Sequence, residues 1–321
     1  MNMANMPMSN SEIQTWKQCH RKWWLQYYRN FGSAYVTGMT GASFLGTKVH
    51  DALDGHYGHQ MDPVILIKDI YKLELDQLDP IDDEFRMREL LAERDLAVLM
   101  IEGYMDWIKD GGEDSNLEII ASEKTIRIPS MVDGYDLVAK LDIMAKKLSD
   151  GRVVFMDHKT KMSLTEPLKT IDLLEQFRMY AMLLKLLNGT DVDGGIINML
   201  RKVKRTARAT PPFYSRVEVR VNRHQLNSMW HRIEAVINEI DAARTALDNG
   251  GNHLKICYPN PADDCSWKCP FLAVCPMFDD GSRAEDYVEN NYVQIDPYAR
   301  YHETSMIERV KEERIAHGAN N

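Results

Sequence analysis

Two Asp-Gly dipeptides constrain this chain more than any other feature. Asp133-Gly134 and Asp150-Gly151 punctuate three strand-like stretches, Leu117 to Ile128, Tyr135 to Lys147 and Val153 to Asp157. Glycine supplies the positive φ that a tight hairpin turn needs, so three antiparallel neighbours are expected. A helical pattern from about Asp172 to Leu187 follows and stops at Asn188-Gly189. Gly194 to Met199 then reads as a buried strand, and Val217, Val219 and Val221 alternate with polar residues as one more. Strands, a crossover helix and further strands predict an α/β chain with a mixed central β-sheet flanked by helices.

The flanks are helical by pattern. Ser9 to Glu12 fits a capping box, which predicts a helix through Trp16, Cys19, Trp23, Trp24 and Tyr27. Phe44 to Tyr57 predicts a second helix bearing His50, and residues 63–109 are mostly helical, with a break at Leu78-Asp79-Pro80. A long helix is expected from His224 to Leu247 and a short one from Ser305 to Ala316. These patterns divide the chain into N-terminal helices (1–60), a helical insert (61–115), a core (116–250), a cysteine-rich segment (251–280) and a polar C-terminal arm (281–321).

Composition narrows the function classes. No run of about 18 or more apolar residues occurs, so a membrane span is not expected, and the opening residues lack the basic-then-apolar layout of a secretion signal. The expected setting is the cytoplasm. A net charge of −9, from 39 basic and 48 acidic residues, argues against non-specific coating of nucleic acid. It leaves room for a local basic path, and Arg201, Lys202, Lys204, Arg205 and Arg208 form the one dense positive run. That run reads either as a solvated hairpin loop or as a phosphate-contacting loop. The segment Arg21 to Arg29 mixes basic and aromatic residues, as a core-facing helix or as one that also touches a nucleic-acid strand. Of the five cysteines, Cys257, Cys265, Cys269 and Cys275 fall close together while Cys19 stands apart. In an intracellular chain such a cluster points to metal before disulfides.

The chemistry-bearing residues are Asp142, Asp157, Lys159, Gln176 and Tyr180. Two carboxylates on strands joined by a tight turn suit a hard divalent cation such as Mg²⁺ or Mn²⁺, which takes one or two protein carboxylates plus water and phosphate oxygens. Lys159 lies two residues beyond Asp157 and therefore on the same side of an extended strand. Its ammonium could hold an attacking water or stabilise charge growing on a phosphate. The His158 backbone carbonyl and the His50 imidazole are further candidate ligands. Glu123 reads as a distant ligand or an exposed strand residue. Gln176 and Tyr180 are four apart on one helix face, placed to orient a phosphate or a catalytic group.

Taken together, these residues resemble the RecB-like branch of the PD-(D/E)XK nuclease superfamily. The resemblance rests on a helix-borne histidine (Gly46 to His50), a Leu-Asp strand (Asp142), an Asp-x-Lys-Thr strand (Asp157 to Thr160) and a Gln-x-x-x-Tyr helix (Gln176 to Tyr180), in that order across residues 9–278. It implies a restriction-endonuclease-like core and a Mg- or Mn-dependent deoxyribonuclease, an exonuclease acting on single-stranded or frayed DNA ends in recombination, repair or phage DNA processing. Asp142, Asp157 and Lys159 would be catalytic, and His50, Asp142, Asp157 and His158 would hold the metal. Gln176 and Tyr180 would bind substrate. A second oligomer subunit or a recombination protein is a possible partner, in a bacterial or phage-infected cell.

The cysteines are similar to those of the iron–sulfur members, the CRISPR-associated and AddB-type nucleases and compact phage exonucleases. Those members place one cysteine before the core and three after it, here Cys19, then Cys265, Cys269 and Cys275, holding a 4Fe-4S cluster. The spacing C-x₃-C-x₅-C departs from the usual C-x₂-C-x₅-C, and Cys257 is extra. Zinc on Cys257, Cys265, Cys269 and Cys275, or no metal at all, remain alternatives. A non-catalytic nucleic-acid-binding or assembly factor on the same scaffold is the competing function.

Overall fold

The computed structural model describes residues 5–33, 39–189, 192, 194–302 and 305–318. In chain order, the first elements are β1 (Met6–Ser9), α1 (Asn10–Gln18), α2 (His20–Trp23), β2 (Phe31–Ser33), α3 (Ala42–His59), α4 (Pro63–Leu75) and α5 (Glu84–Gly111). Next come β3 (Leu117–Pro129), β4 (Tyr135–Lys147), β5 (Val153–Lys161), α6 (Glu175–Asn188), β6 (Gly194–Arg201), β7 (Tyr214–Arg220) and α7 (Arg223–Asp248). The chain ends with α8 (His253–Ile256), α9 (Cys265–Lys268), α10 (Ala284–Asn291), β8 (Tyr292–Gln294) and α11 (Met306–Gly318). The fold is mixed α/β, as the sequence pattern predicts, and it divides into two compact units. Unit 1 comprises residues 1–35, 126–139 and 227–303; unit 2 comprises 36–125, 140–226 and 304–321. No helix among the described residues is long and apolar enough to cross a membrane.

Unit 2 holds the second half of β4 with β5, β6 and β7. β4 and β5 are antiparallel from Ile143↔Met156 to Lys146↔Val153, joined through Gly151 at φ 73°. β5 and β6 are parallel, from Phe155↔Gly195 to Lys161↔Arg201, which requires the crossover that α6 supplies. β6 and β7 return antiparallel. α6 stops at Gly189, whose φ of 65° serves as a left-handed cap. α4 begins where Asp62 caps the amides of Val64 and Ile65 and Pro63 occupies the first turn.

Leu53, Tyr71, Met100, Ile101 and Tyr104 bring α3, α4 and α5 together over Leu200 of β6 and Tyr214 of β7. Complete burial of each such side chain contributes about 1.5–3 kcal/mol. α11 also packs here, through Ile307 and Val310 on Leu66 and Ile70 of α4.

In unit 1, β1 pairs parallel with the first half of β4, from Met6↔Tyr135 to Ser9↔Val138, and β2 pairs with β8. Ser9 caps α1 by accepting the Glu12 amide. The reciprocal half of the capping box is not made. Glu12 is fully buried and instead binds the Trp23 indole, the Arg244 guanidinium and the Tyr298 hydroxyl. The continuous helix expected through Cys19 is broken there: Cys19 is extended (φ −164°, ψ 116°), and a π-helical turn covers Trp24–Tyr28. The segment beyond α8 takes up groups exposed by this break. Asn260 donates its amide to the Gln18 carbonyl, and the Tyr258 carbonyl accepts the Arg21 N–H. Tertiary partners thus override helix propensity at one residue, the one carrying the isolated thiol.

Gly194 opens β6 at φ 137°, and a Cβ there would lie 1.8 Å from the Val219 carbonyl oxygen on β7. That neighbour is main chain in a paired strand and has no room to move. Gly194→Ala is therefore expected to destabilise the protein by more than about 3 kcal/mol, combining backbone strain with steric overlap. Chemical denaturation measures this; a loss below about 1 kcal/mol would show that the β6–β7 register is misassigned.

Candidate active site

The β4–β5 ladder ends at Ile143↔Met156, and the next residue on each strand is an aspartate. Past that point the Asp142 carboxylate itself takes a main-chain donor: His158 N–H donates to Asp142 Oδ2 at 2.7 Å. His50 arrives from α3 with Nδ1 3.3 Å from the same oxygen. Its approach depends on Gly46, one turn earlier, where a Cβ would stand 3.2 Å from Thr160 Oγ1 of β5. On β5, Lys159 Nζ forms an ion-pair contact of 2.7 Å with Asp157 Oδ2. Gln176 of α6 spans both groups. Its Oε1 accepts from Lys159 Nζ at 3.2 Å, and its Nε2 donates to Asp157 Oδ1 at 3.3 Å and to the Tyr180 hydroxyl at 2.7 Å. These contacts form two groups, His50 with Asp142 and Asp157 with Lys159, Gln176 and Tyr180, which adjoin where the His158 amide, next to Asp157 in the chain, holds Asp142. The His158 side chain is buried, hydrogen-bonded to Asn198 and edge-on to the His50 ring at a centroid distance of 5.8 Å, while its main-chain amide holds Asp142.

Asp142, Asp157 and His158 are 7%, 2% and 1% exposed, so desolvation is the largest influence on each. Burial pushes the Asp157 carboxyl up; Lys159 opposes this and Asp142 reinforces it, with a net rise. Burial acts on Asp142 in the same direction but is outweighed, first by His50 and then by His158 and Lys159, so Asp142 lies well below the usual carboxylate range. For His50, burial favours the neutral ring, but Asp142 prevails and the imidazole is raised. Burial drives His158 down to about 3.

A second acidic group adjoins this set. Glu123 takes a left-handed conformation within β3 (φ 44°), and its carboxylate lies 2.6 Å from Lys140 Nζ. Its carboxyl is raised by burial first and by Asp142 next. Asp51, following His50, is pushed up to about 7, by burial first and Glu123 second. Lys140 and Asp51 were missed by the sequence reading. The available signals were the two-residue spacing of Lys140 from Asp142 and the position of Asp51 beside His50.

Several residues of the basic runs bind partners within the chain. Arg201 donates to the Met162 and Thr210 carbonyls, and Arg205 stacks 3.4 Å over Phe213 and donates to the Tyr214 hydroxyl. Lys204 and Arg208 remain exposed. Arg21 and Arg29 pair with Asp279 and Glu285.

Unit 1 carries a separate constellation. Cys19, Cys265, Cys269 and Cys275 line one pocket of about 320 Å³, with apolar walls that include Leu25, Phe271 and Leu272. Main-chain amides of Asn260 and Ala262 point at the sulfurs of Cys19 and Cys265, at 3.5 and 3.4 Å. Arg21 donates to the Cys275 carbonyl and forms a two-pronged pair with Asp279. Cys257 does not line the pocket; it is fully buried, and burial raises its thiol to about 12. Among the described residues, no three His, Cys, Asp or Glu side chains converge closely enough to hold a metal ion by themselves.

A family model described as the PD-(D/E)XK nuclease superfamily matches residues 7–276. No curated protein matches the chain. Among solved structures, a “putative exonuclease” from Eubacterium rectale is similar at 13% identity and TM-score 0.47, over 81% of this chain and 87% of that one. The protein SSO0001 is similar at 16% identity and TM-score 0.30, over 65% of this chain and 93% of that one.

The burial of neutral His158 has a pH consequence. Its pKa is about 6.5 when unfolded and about 3 when folded, so between those values the unfolded chain binds the extra proton and acid favours unfolding. The stability lost through this group between pH 7 and pH 5 amounts to about 2 kcal/mol. Replacing it, as His158→Gln, should flatten the dependence of unfolding free energy on pH by that amount. Equal slopes in the two proteins would show that His158 is not buried in neutral form.

Proposed function

Because the chain belongs to the PD-(D/E)XK nuclease superfamily, we propose that it is a metal-dependent DNA exonuclease that hydrolyses phosphodiester bonds at single-stranded or frayed ends. One observation carries this reading: Lys159 and Gln176 both meet Asp157, while Asp142 is held by His50 and the His158 amide. Two buried carboxylates next to one ammonium form a donor set suited to a hard divalent cation. A compensating charge relieves their mutual repulsion and desolvation. Such an ion completes its shell from water and phosphate oxygens.

Asp142, Asp157, His50 and the His158 carbonyl would hold Mg²⁺ or Mn²⁺, which when bound polarises the phosphoryl oxygen and acidifies water. The chain's own groups have separable tasks. Lys159, oriented by Gln176, would hold the attacking water and balance negative charge at the phosphate. Gln176 also fixes the Asp157 carboxylate, and Tyr180 fixes Gln176 while presenting its hydroxyl beside the DNA strand. The DNA partner and the cytoplasmic setting follow from this activity, and pairing with a second copy or a recombination protein is compatible with it.

Asp157→Ala and Lys159→Ala are expected to lower cleavage of labelled single-stranded DNA by at least about 10³-fold while the fold survives. EDTA should abolish wild-type activity, and Mg²⁺ or Mn²⁺ should restore it. Undiminished turnover by either folded variant would remove the assignment, and a wild type inert with every divalent ion would favour a binding factor.

For the cysteine pocket of unit 1 we propose a structural 4Fe-4S cluster on Cys19, Cys265, Cys269 and Cys275. Zinc bonds its sulfurs at about 2.3 Å, which places tetrahedral thiolates about 3.8 Å apart. Four thiols lining one pocket of about 320 Å³ leave room for a polynuclear cluster. Amide donors aimed at two sulfurs and a nearby guanidinium would stabilise the clustered thiolates. Protein purified without oxygen should absorb broadly near roughly 400 nm. Cys19→Ser should lose that absorbance and Cys257→Ser should keep it; the opposite pattern would place the cluster on Cys257, and a colourless protein that carries bound zinc would support the zinc alternative.

A further inference from the structure

A buried polar network runs from β7 through β6, α3 and α5 of unit 2 to the His158 side chain on β5, and His158 is the one residue it shares with the chemistry assigned above. It begins at Arg216 of β7, which is largely buried. Arg216 Nη1 lies 2.6 Å from Asp114 Oδ1 and donates to the Glu113 carbonyl. Its Nη2 donates to the hydroxyls of Tyr57 and Tyr104, at 3.0 and 2.7 Å. Its Nε donates to Asn198 Oδ1 on β6 at 3.1 Å. The other end of Asn198 meets the Tyr104 hydroxyl at 3.0 Å and His158 Nδ1 at 2.8 Å. The two hydroxyls lie 2.7 Å apart, and Tyr57 stacks on the His158 ring.

The direction of every hydrogen bond in this network is determined. A guanidinium only donates, so Asn198 must turn its carbonyl toward Arg216 and its amide toward His158. A carboxylate only accepts, so the Tyr57 hydroxyl donates to Asp114, Tyr104 donates to Tyr57, and the Tyr104 oxygen is left to accept from Asn198. Asn198 therefore donates to His158 Nδ1, and the imidazole proton sits on Nε2. That nitrogen is buried and has no hydrogen-bond partner among the described residues.

We infer that Asn198 and Arg216 are positioning residues for the candidate centre: they fix His158 as its Nε2–H tautomer and hold β5 from behind. The connection is short. Side chains alternate along β5, so the residue gripped by Asn198 lies between Asp157 and Lys159 and faces away from them. The main-chain amide of that same residue holds Asp142. A shift of His158 thus displaces both carboxylates and the ammonium at once. This inference rests on the nuclease reading for its purpose, though not for its geometry.

Asn198→Asp tests it, because it preserves shape while replacing the donor at His158 with an acceptor. Long-range proton–nitrogen NMR of the wild type should show His158 Nδ1 without a proton and Nε2 with one, and the variant should show the reverse. Calorimetry with Mn²⁺ should give an affinity about 10–100-fold weaker in the folded variant, the range seen for groups that orient metal ligands through a neighbour. An Nδ1–H tautomer in the wild type overturns the inference, and that result needs no variant to fold. An unchanged Mn²⁺ affinity in the variant overturns it as well, as does a wild type that binds no Mn²⁺. Wild type that binds Mn²⁺ with the expected tautomer and a weakened variant, yet cleaves no DNA, sinks the nuclease reading and sustains this one.

Discussion

The candidate site depends on a single exchange of hydrogen-bond partners. After Ile143↔Met156 the β4–β5 ladder stops, and the Asp142 carboxylate takes the His158 amide. A side chain thereby replaces main chain as the link between two strands. The exchange leaves Asp142 and Asp157 at neighbouring mid-strand positions where the β4–β5 pairing stops, and there α3 contributes His50 and α6 contributes Gln176. It also brings two carboxylates into a buried space, which is unfavourable unless positive charge compensates them. His50 and Lys159 supply part of that charge from the chain itself.

The opposed behaviour of the two carboxyls follows from their neighbours rather than from burial, which both share. Asp142 has His50 and a main-chain donor and remains ionised. Asp157 is raised, partly because Asp142 is charged. A site of this kind is poised to take up a cation, since the cation removes the repulsion that separates the two. The cysteine pocket of unit 1 follows a related logic: burial raises the thiols of Cys269 and Cys275, so binding a metal there means displacing protons from them.

Much of this architecture was legible in the sequence because it is written in short-range signals. The Asp-Gly turns, the alternating valines of β7 and the Asn188-Gly189 stop each specify a local conformation, and each occurs where expected. Asp157 and Lys159 were legible as a pair because strand alternation puts them on one side. The break at Cys19 was not legible, since it is imposed by Tyr258 and Asn260, far away in the chain. Nor was the network of Arg216, Asn198 and Tyr104, whose members stand alone in the sequence and acquire meaning only through strand register. Glu123 was undecided for a similar reason: its left-handed backbone turns a residue in a strand pattern into a half-buried group that interacts with Asp142, and no residue type announces that.

The most direct test of the central claim is a crystal soaked with Mn²⁺ and measured at a wavelength that reveals the ion by anomalous scattering. The predicted result is a peak in direct contact with carboxylate oxygens of both Asp142 and Asp157. A well-ordered site without such a peak, or an ion bound elsewhere while these two carboxylates stay apart, would contradict it.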